Sequence, residues 1–181
     1  MATTTSIVGT VSAAPFNNLT ADDGAVARIR DGQTAICSNF SALSIPVGAT
    51  IDGIEVDMEG YASNAGHDAN VGDWIYVSND GGSSFSTAQS VTTGTWVTTT
   101  HPSTWTVETA GGTSELWGET WNATTAAAIQ VKLEWSTSGG DAVYLDYVLV
   151  RITYTEAVAV ATLKSLTINS LLTLNGKLTI K

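Results

Sequence analysis

The sequence predicts an all-β protein, an antiparallel sandwich or barrel with a short repeat tail. Three observations carry this. Thr, Val, Ser and Gly dominate while helix formers are scarce, a bias that favours strands joined by tight turns. Two segments alternate apolar and polar residues with period two. Strand candidates recur at spacings typical of sandwiches and barrels.

The clearest strand runs from Ile51 to Tyr61. Ile54, Val56 and Met58 fall on one face, and Glu55, Asp57 and Glu59 fall on the other, predicted to be a solvated acidic face. Ile129, Val131, Leu133 and Trp135 alternate in the same way with Gln130, Lys132 and Glu134. Gly139-Gly140-Asp141 then turns the chain into a long strand over Val143 to Tyr154, and the two segments are expected to pair as a hairpin. Ala25 to Ile29 and Thr34 to Cys37 form a second expected hairpin, with Asp31-Gly32 as its turn. Trp74 to Val77, Val91 to Thr100 and Trp105 to Val107 are further strands. Thr124 to Ala128 is the one helical candidate, about one turn long.

Three regions follow. Residues 1–24 hold few large apolar side chains and are expected to form a loosely held arm, ordered against a partner. Residues 25–155 form the sandwich. Residues 156–181 carry a six-residue repeat, Leu166-Thr167-Ile168-Asn169, Leu172-Thr173-Leu174-Asn175 and Leu178-Thr179-Ile180-Lys181. Leu166, Ile168, Leu172, Leu174, Leu178 and Ile180 are thereby marked for oligomerisation or anchoring, because such a stripe left in water would aggregate. Several chains wound together would bury it. One extra strand pair added to the sandwich is the other reading.

Charge and chemistry narrow the function. The net charge is −10, with only seven Lys and Arg and no run of them. That balance excludes a nucleic-acid surface, which needs clustered cations, and disfavours anionic membranes. Residues 156–181 set Glu156 against Lys164, Lys177 and Lys181, a net +2, so that a total of −10 puts −12 on the preceding body. The single cysteine, Cys37, sits in an apolar stretch and reads as core. No signal peptide and no membrane span is visible.

No catalytic constellation emerges, and the expectation is a protein that is not an enzyme. The two histidines, His67 and His101, have no Ser, Cys or second His at a recognisable spacing. The acidic pairs Asp22-Asp23, Asp68 with Asp73, and Asp141 with Asp146 offer oxygen ligands, but without EF-hand spacing, and neither a metal nor a cofactor is expected. Ser78 to Phe85 fits the pattern Ser-x-Asp-x-Gly-x-Ser-aromatic and resembles the Asp-box turns of sialidases and other propellers. The three arginines and the short chain do not supply a sialidase, so the motif is read as a turn capped by Asp80. Trp74, Trp96 and Trp135 are read as core. Trp117 and Trp121, four apart around a glycine, are the candidate glycan contact, since sugars stack on flat aromatic faces.

Ile45-Pro46-Val47-Gly48-Ala49-Thr50-Ile51-Asp52-Gly53-Ile54-Glu55-Val56 resembles the entry to a central strand in jelly-roll-like domains of phage virion proteins. Leu116-Trp117-Gly118, Val143-Tyr144-Leu145-Asp146-Tyr147-Val148 and Ile152-Thr153-Tyr154 recur in that order in such proteins. Pro46 and Gly48 would turn the chain, Ala49 and Ile51 re-enter the core, and Gly53 relieve crowding. The family pattern would continue after Gly118 with a proline-containing turn, whereas Trp121-Asn122-Ala123-Thr124-Thr125 has none. The tail resembles segments of phage fibres. The resemblance implies a jelly-roll-like sandwich in a virion component assembled in the host cytoplasm without secretion. Taken with the hexad tail and the acidic body, the first expectation is a capsid decoration (cement) protein, a homotrimer bound to the major capsid protein; the alternative is a tail or fibre adhesin or a carbohydrate-binding module.

Overall fold

The structure is a computed structural model that describes residues 1–12, 16–30, 32–62, 73–90, 105–135 and 142–158. Within them the chain forms nine strands, one short α-helix and one 3-10 turn. The strands are β1 (Ala2–Ile7), β2 (Thr10–Val11), β3 (Ala27–Arg30), β4 (Thr34–Ser38), β5 (Thr50–Ala62), β6 (Asp73–Ser78), β7 (Thr106–Gly112), β8 (Gln130–Trp135) and β9 (Ala142–Thr155). They make two antiparallel sheets. One runs β1-β9-β5-β7, with β3 also paired to β9; the other runs β2-β4-β8-β6. The all-β sandwich is therefore as expected.

The inner faces meet in one apolar core. Ile54, Val56 and Met58 of β5 and Val148, Val150 and Ile152 of β9 enter it from the first sheet. Cys37 of β4, Ile75 and Val77 of β6, and Val131 and Leu133 of β8 enter it from the second. Period two on these strands is the direct cause: one side chain in two faces the opposite sheet. Burial pushes the Cys37 thiol up to about 12, which holds it as an inert core group.

Both expected hairpins are corrected. β3 pairs with β9, while β4 pairs with β2 and β8. β8 pairs with β4 and β6, while β9 pairs with β1, β3 and β5. In each case sequence neighbours part into opposite sheets. The pairing is nested instead: β3 with β9, β4 with β8, β5 with β7, and β6 bridged to Gln89 through Ile75. Strands far apart in sequence thereby join. Gly32 still turns the chain, at φ +72, but the turn carries it from one sheet to the other.

The free arm is also corrected. β1 zips antiparallel to β9 over the pairs Ala2↔Tyr154 to Ile7↔Leu149, and β2 pairs with β4. Val8, Phe16 and Leu19 are core residues. Threonine suits strands, and an edge strand is held through its backbone, so large apolar side chains are not required there.

Local chemistry sets the connections. Gly53 lies beside a register shift in the β5–β9 pairing, and a β-carbon there would collide with backbone atoms of Gly112 and Thr113. The expected relief of crowding is thus a close backbone approach. The helix α1 (Ala123–Ala127) begins at Asn122, whose side chain accepts the N–H groups of Thr124 and Thr125 in a capping box. The turn after β6 is built as its motif predicts. Ser84 N–H and Oγ donate to the Asp80 carboxylate at 3.0 and 2.7 Å, and Ser78 Oγ donates to it at 2.7 Å. These bonds hold the Asp80 carboxyl down at about 2. The expected strand over Val91 to Thr100 lies outside the described residues.

Candidate functional site

The six tail residues marked for oligomerisation or anchoring (Leu166, Ile168, Leu172, Leu174, Leu178 and Ile180) lie outside the described residues, as do His67, His101, Asp68, Asp141 and Trp96. The other two marked positions, Trp117 and Trp121, are described.

Trp117 is 2% exposed and belongs to the core. Its Nε1 donates to the carbonyl oxygen of Ile54 at 3.0 Å, and its N–H donates to the Glu115 carboxylate at 2.6 Å. Its backbone adopts φ +59, unusual for a residue with a side chain. Gly111 makes room for the indole: a β-carbon there would lie 3.0 Å from both Cζ2 and Nε1 of the ring. Trp117 is therefore a plug that ties the loop after β7 to β5, with no ring face left for a sugar. Trp121 is half-buried against the core, and its Nε1 donates to the Leu116 carbonyl at 2.9 Å. The expected pair does not form a platform, because Trp117 is buried in the core.

Two polar clusters stand out on the first sheet, and the sequence expectation missed both. One surrounds Arg151 of β9. Its guanidinium reaches Asp57 at 2.7 Å and Glu55 at 3.4 Å, and Thr109 Oγ1 of β7 donates to Asp57 at 2.7 Å. Asp57 is only 4% exposed. The acidic face of β5 is thus an ion-pair network between two flanking strands rather than a solvated face. The cross-strand register Glu55↔Arg151 is what brings the charges together.

The other cluster is Asp22, Glu59 and Asp146, whose carboxylate oxygens all lie within 4.8 Å of one another. A register shift makes it. Glu59 faces Tyr147 and Gly60 faces Leu145, so Asp146 is the extra residue of a bulge on β9. Asp146 is buried and accepts the Gly24 N–H at 3.1 and 3.3 Å. That bond, with the Thr20↔Tyr147 bridge, pins residues 20–24 across β9 and brings Asp22 alongside. Burial raises the Glu59 carboxyl, and the negative charges of Asp22 and Asp146 raise it further. Burial also raises Asp146, against the lowering effect of the Gly24 and Asp23 N–H groups. Tyr147 is raised by burial first and by Glu59 next. Among the described residues these three carboxylates are the group that could hold a metal ion, and oxygen-only ligands of this kind suit a hard divalent cation. The same geometry serves as a clasp for residues 20–24. The sequence expectation grouped Asp146 with Asp141 and Asp22 with Asp23, because it saw only neighbours along the chain.

No protein family model, no curated protein and no solved structure matches this chain. No helix among the described residues is long and apolar enough to cross a membrane.

Proposed function

We propose that this chain is a non-catalytic virion structural protein, a jelly-roll-like capsid decoration (cement) protein that bridges and stabilises the shell subunits of a phage. The observation that carries the reading is the nested pairing of β3 with β9, β4 with β8 and β5 with β7. Nested pairing of this kind supports the jelly-roll part of the reading. The segments that carry the family resemblance occupy its centre: residues 45–56 lead into β5, 143–154 form β9, and Trp117 plugs the loop beside them. On the first sheet Arg151 links Asp57 and Glu55 across neighbouring strands, and Asp146 holds Gly24, which supports a structural use of these charges.

In this reading the body is a rigid block and the apolar stripe Leu166, Ile168, Leu172, Leu174, Leu178 and Ile180 makes the contacts, with sister chains in a homotrimer and with the major capsid protein. Once one contact of a trimer forms, the others become intramolecular, so modest interfaces add to firm attachment. Neither nucleic acid nor membrane is a partner. The test compares the full chain with one lacking residues 163–181, by light scattering and by binding to shells stripped of the protein. The full chain should be trimeric and bind; the shortened chain should melt cooperatively but do neither. A full chain that is monomeric and ignores the shells, yet scores on a glycan array, would overturn the proposal in favour of a tail or fibre adhesin or carbohydrate-binding module.

A further inference from the structure

Exposed apolar side chains gather at one end of the sandwich. Among the described residues, four large apolar side chains stand exposed: Met1, Val47, Val107 and Val158. Single residues of this kind are ordinary on a protein surface, but a group of them marks a contact. Three of the four form such a group. Ala2 pairs with Tyr154 and Thr50 pairs with Thr155, so Met1, the start of β5 and the end of β9 share one end of the first sheet. The turn before β5 lies there too: a β-carbon on Gly48 would sit 3.5 Å from the β-carbon of Ala157. Pro46 and Ala157 are exposed as well. This end is thus apolar across three segments distant in sequence.

Val47 is presented there on a fixed support. Ala49 N–H donates to Pro46 O at 3.1 Å, and Gly48 takes φ +82, which closes a turn with Val47 at its tip. Ile45 packs against the core on one side of the turn, and Ala49 is buried in it on the other. Val47 itself is 97% exposed. An apolar group displayed on a rigid turn loses little freedom when a partner covers it. Charge is sparse at the same end. Residues 1–7, 41–51 and 157–163 contain no Asp, Glu, Lys or Arg. Of the acids that border them, Asp52 already accepts a hydrogen bond from Thr155 Oγ1 at 2.7 Å, and Glu156 is exposed. Copies of an acidic body repel one another, and approach costs least where charge is thinnest.

The occupant follows from what leaves this end. Residues 157–163 read Ala-Val-Ala-Val-Ala-Thr-Leu, and the first repeat begins at Leu166. With no Gly, Pro or charged residue, that stretch lacks the composition of a spacer that would keep a body away from its tail. Apolar sequence runs almost unbroken from the patch to the stripe, so sister chains that cover the stripe are held close to the patch. We infer that this end of the sandwich is the contact between bodies when the chain self-associates, its occupant being the same end of a sister chain. A closed cyclic assembly brings the same patch of every copy to its axis. The inference rests on the self-association proposed above and adds the surface of the body that meets its copies; it does not depend on a capsid.

Full-length chains carrying Val47→Lys, Val158→Lys or both test it, with Val107→Lys as the control. Val107 pairs with Glu59, far along β5 from Thr50, and lies away from this end. Lysine lowers the net negative charge and so eases general repulsion; a loss of association then reports burial at the patch. The far-UV circular dichroism of every variant should match that of the unmodified chain, because the replaced side chains are exposed. Light scattering over a concentration series should show the association midpoint raised at least about tenfold by either change at the end, and unchanged by Val107→Lys. Under mild oxidation a Val47→Cys chain should form linked pairs that a Val107→Cys chain does not, with the buried Cys37 common to both. Association that survives both lysines, with no linkage through Val47→Cys, would overturn this inference and leave the tail as the contact. An equal loss with Val107→Lys would overturn it too. An unmodified chain that stays monomeric throughout would overturn both this inference and the self-association on which it rests.

Discussion

Replacing Trp117 tests how the loop after β7 is tied to the sandwich, and three substitutions separate the contributions. Trp117→Phe keeps most of the buried ring but removes the Nε1 bond to the Ile54 carbonyl, 3.0 Å long. A buried hydrogen bond whose partner is left unsatisfied should cost about 1–3 kcal/mol. Trp117→Ala also removes the ring, which is 2% exposed and packed in the space that Gly111 leaves open. Large-to-small change at such a site should cost about 3–5 kcal/mol. Trp117→Gly opens the same cavity, yet glycine accepts the φ of +59 that alanine resists. It should therefore be more stable than Trp117→Ala by about 1–2 kcal/mol, reversing the usual order of the two residues within regular structure. Urea unfolding read by far-UV circular dichroism measures all three as midpoint shifts at constant slope. A loss below about 1 kcal/mol for Trp117→Ala would refute the plug. A glycine variant less stable than the alanine variant would refute the backbone argument.

Two further outcomes follow from the polar clusters. Arg151→Met should cost about 1–3 kcal/mol, less than a fully buried pair would, because the guanidinium is 38% exposed while the Asp57 side chain is 6% exposed. The same change in a chain that already carries Asp57→Asn should cost much less, and equal costs in the two backgrounds would show that the ion pair contributes nothing. At neutral pH, Glu59→Gln should stabilise the chain, since Glu59 is raised by burial and by Asp22 and Asp146. A carboxyl raised in the folded state lends stability that is present at low pH and lost as pH rises through its folded value. The benefit of Glu59→Gln should therefore shrink as pH falls toward and below the ordinary carboxyl range, and thermal melts across that range check it. A benefit that grew on acidification would contradict the assigned direction.

Much of the fold was legible because period two reports which face of a strand is buried. It placed Ile54, Val56 and Met58, and Ile129, Val131 and Leu133, in the core, where they lie. Turn chemistry was equally local: Asp80 acts within a few residues of itself. Period two is silent on which strand lies alongside, and turn residues such as Gly32 serve a crossing between sheets as well as a hairpin. For that reason β3 and β4, and β8 and β9, looked like hairpins and are not. The candidate sites failed for a related reason. Asp146 becomes a clasp for Gly24 only through a bulge and a contact between distant segments. The burial of Trp117 depends on the space at Gly111, six residues earlier on β7, a contact that local patterning does not report.

If the sandwich is a rigid block that decorates a phage shell, as proposed, cryo-electron microscopy of the native particle should show trimeric density on the outer capsid surface that fits the two-sheet body, with residues 156–181 running to the junctions between capsid subunits. Density for the body at the tail or its fibres, with a bare capsid surface, would contradict it.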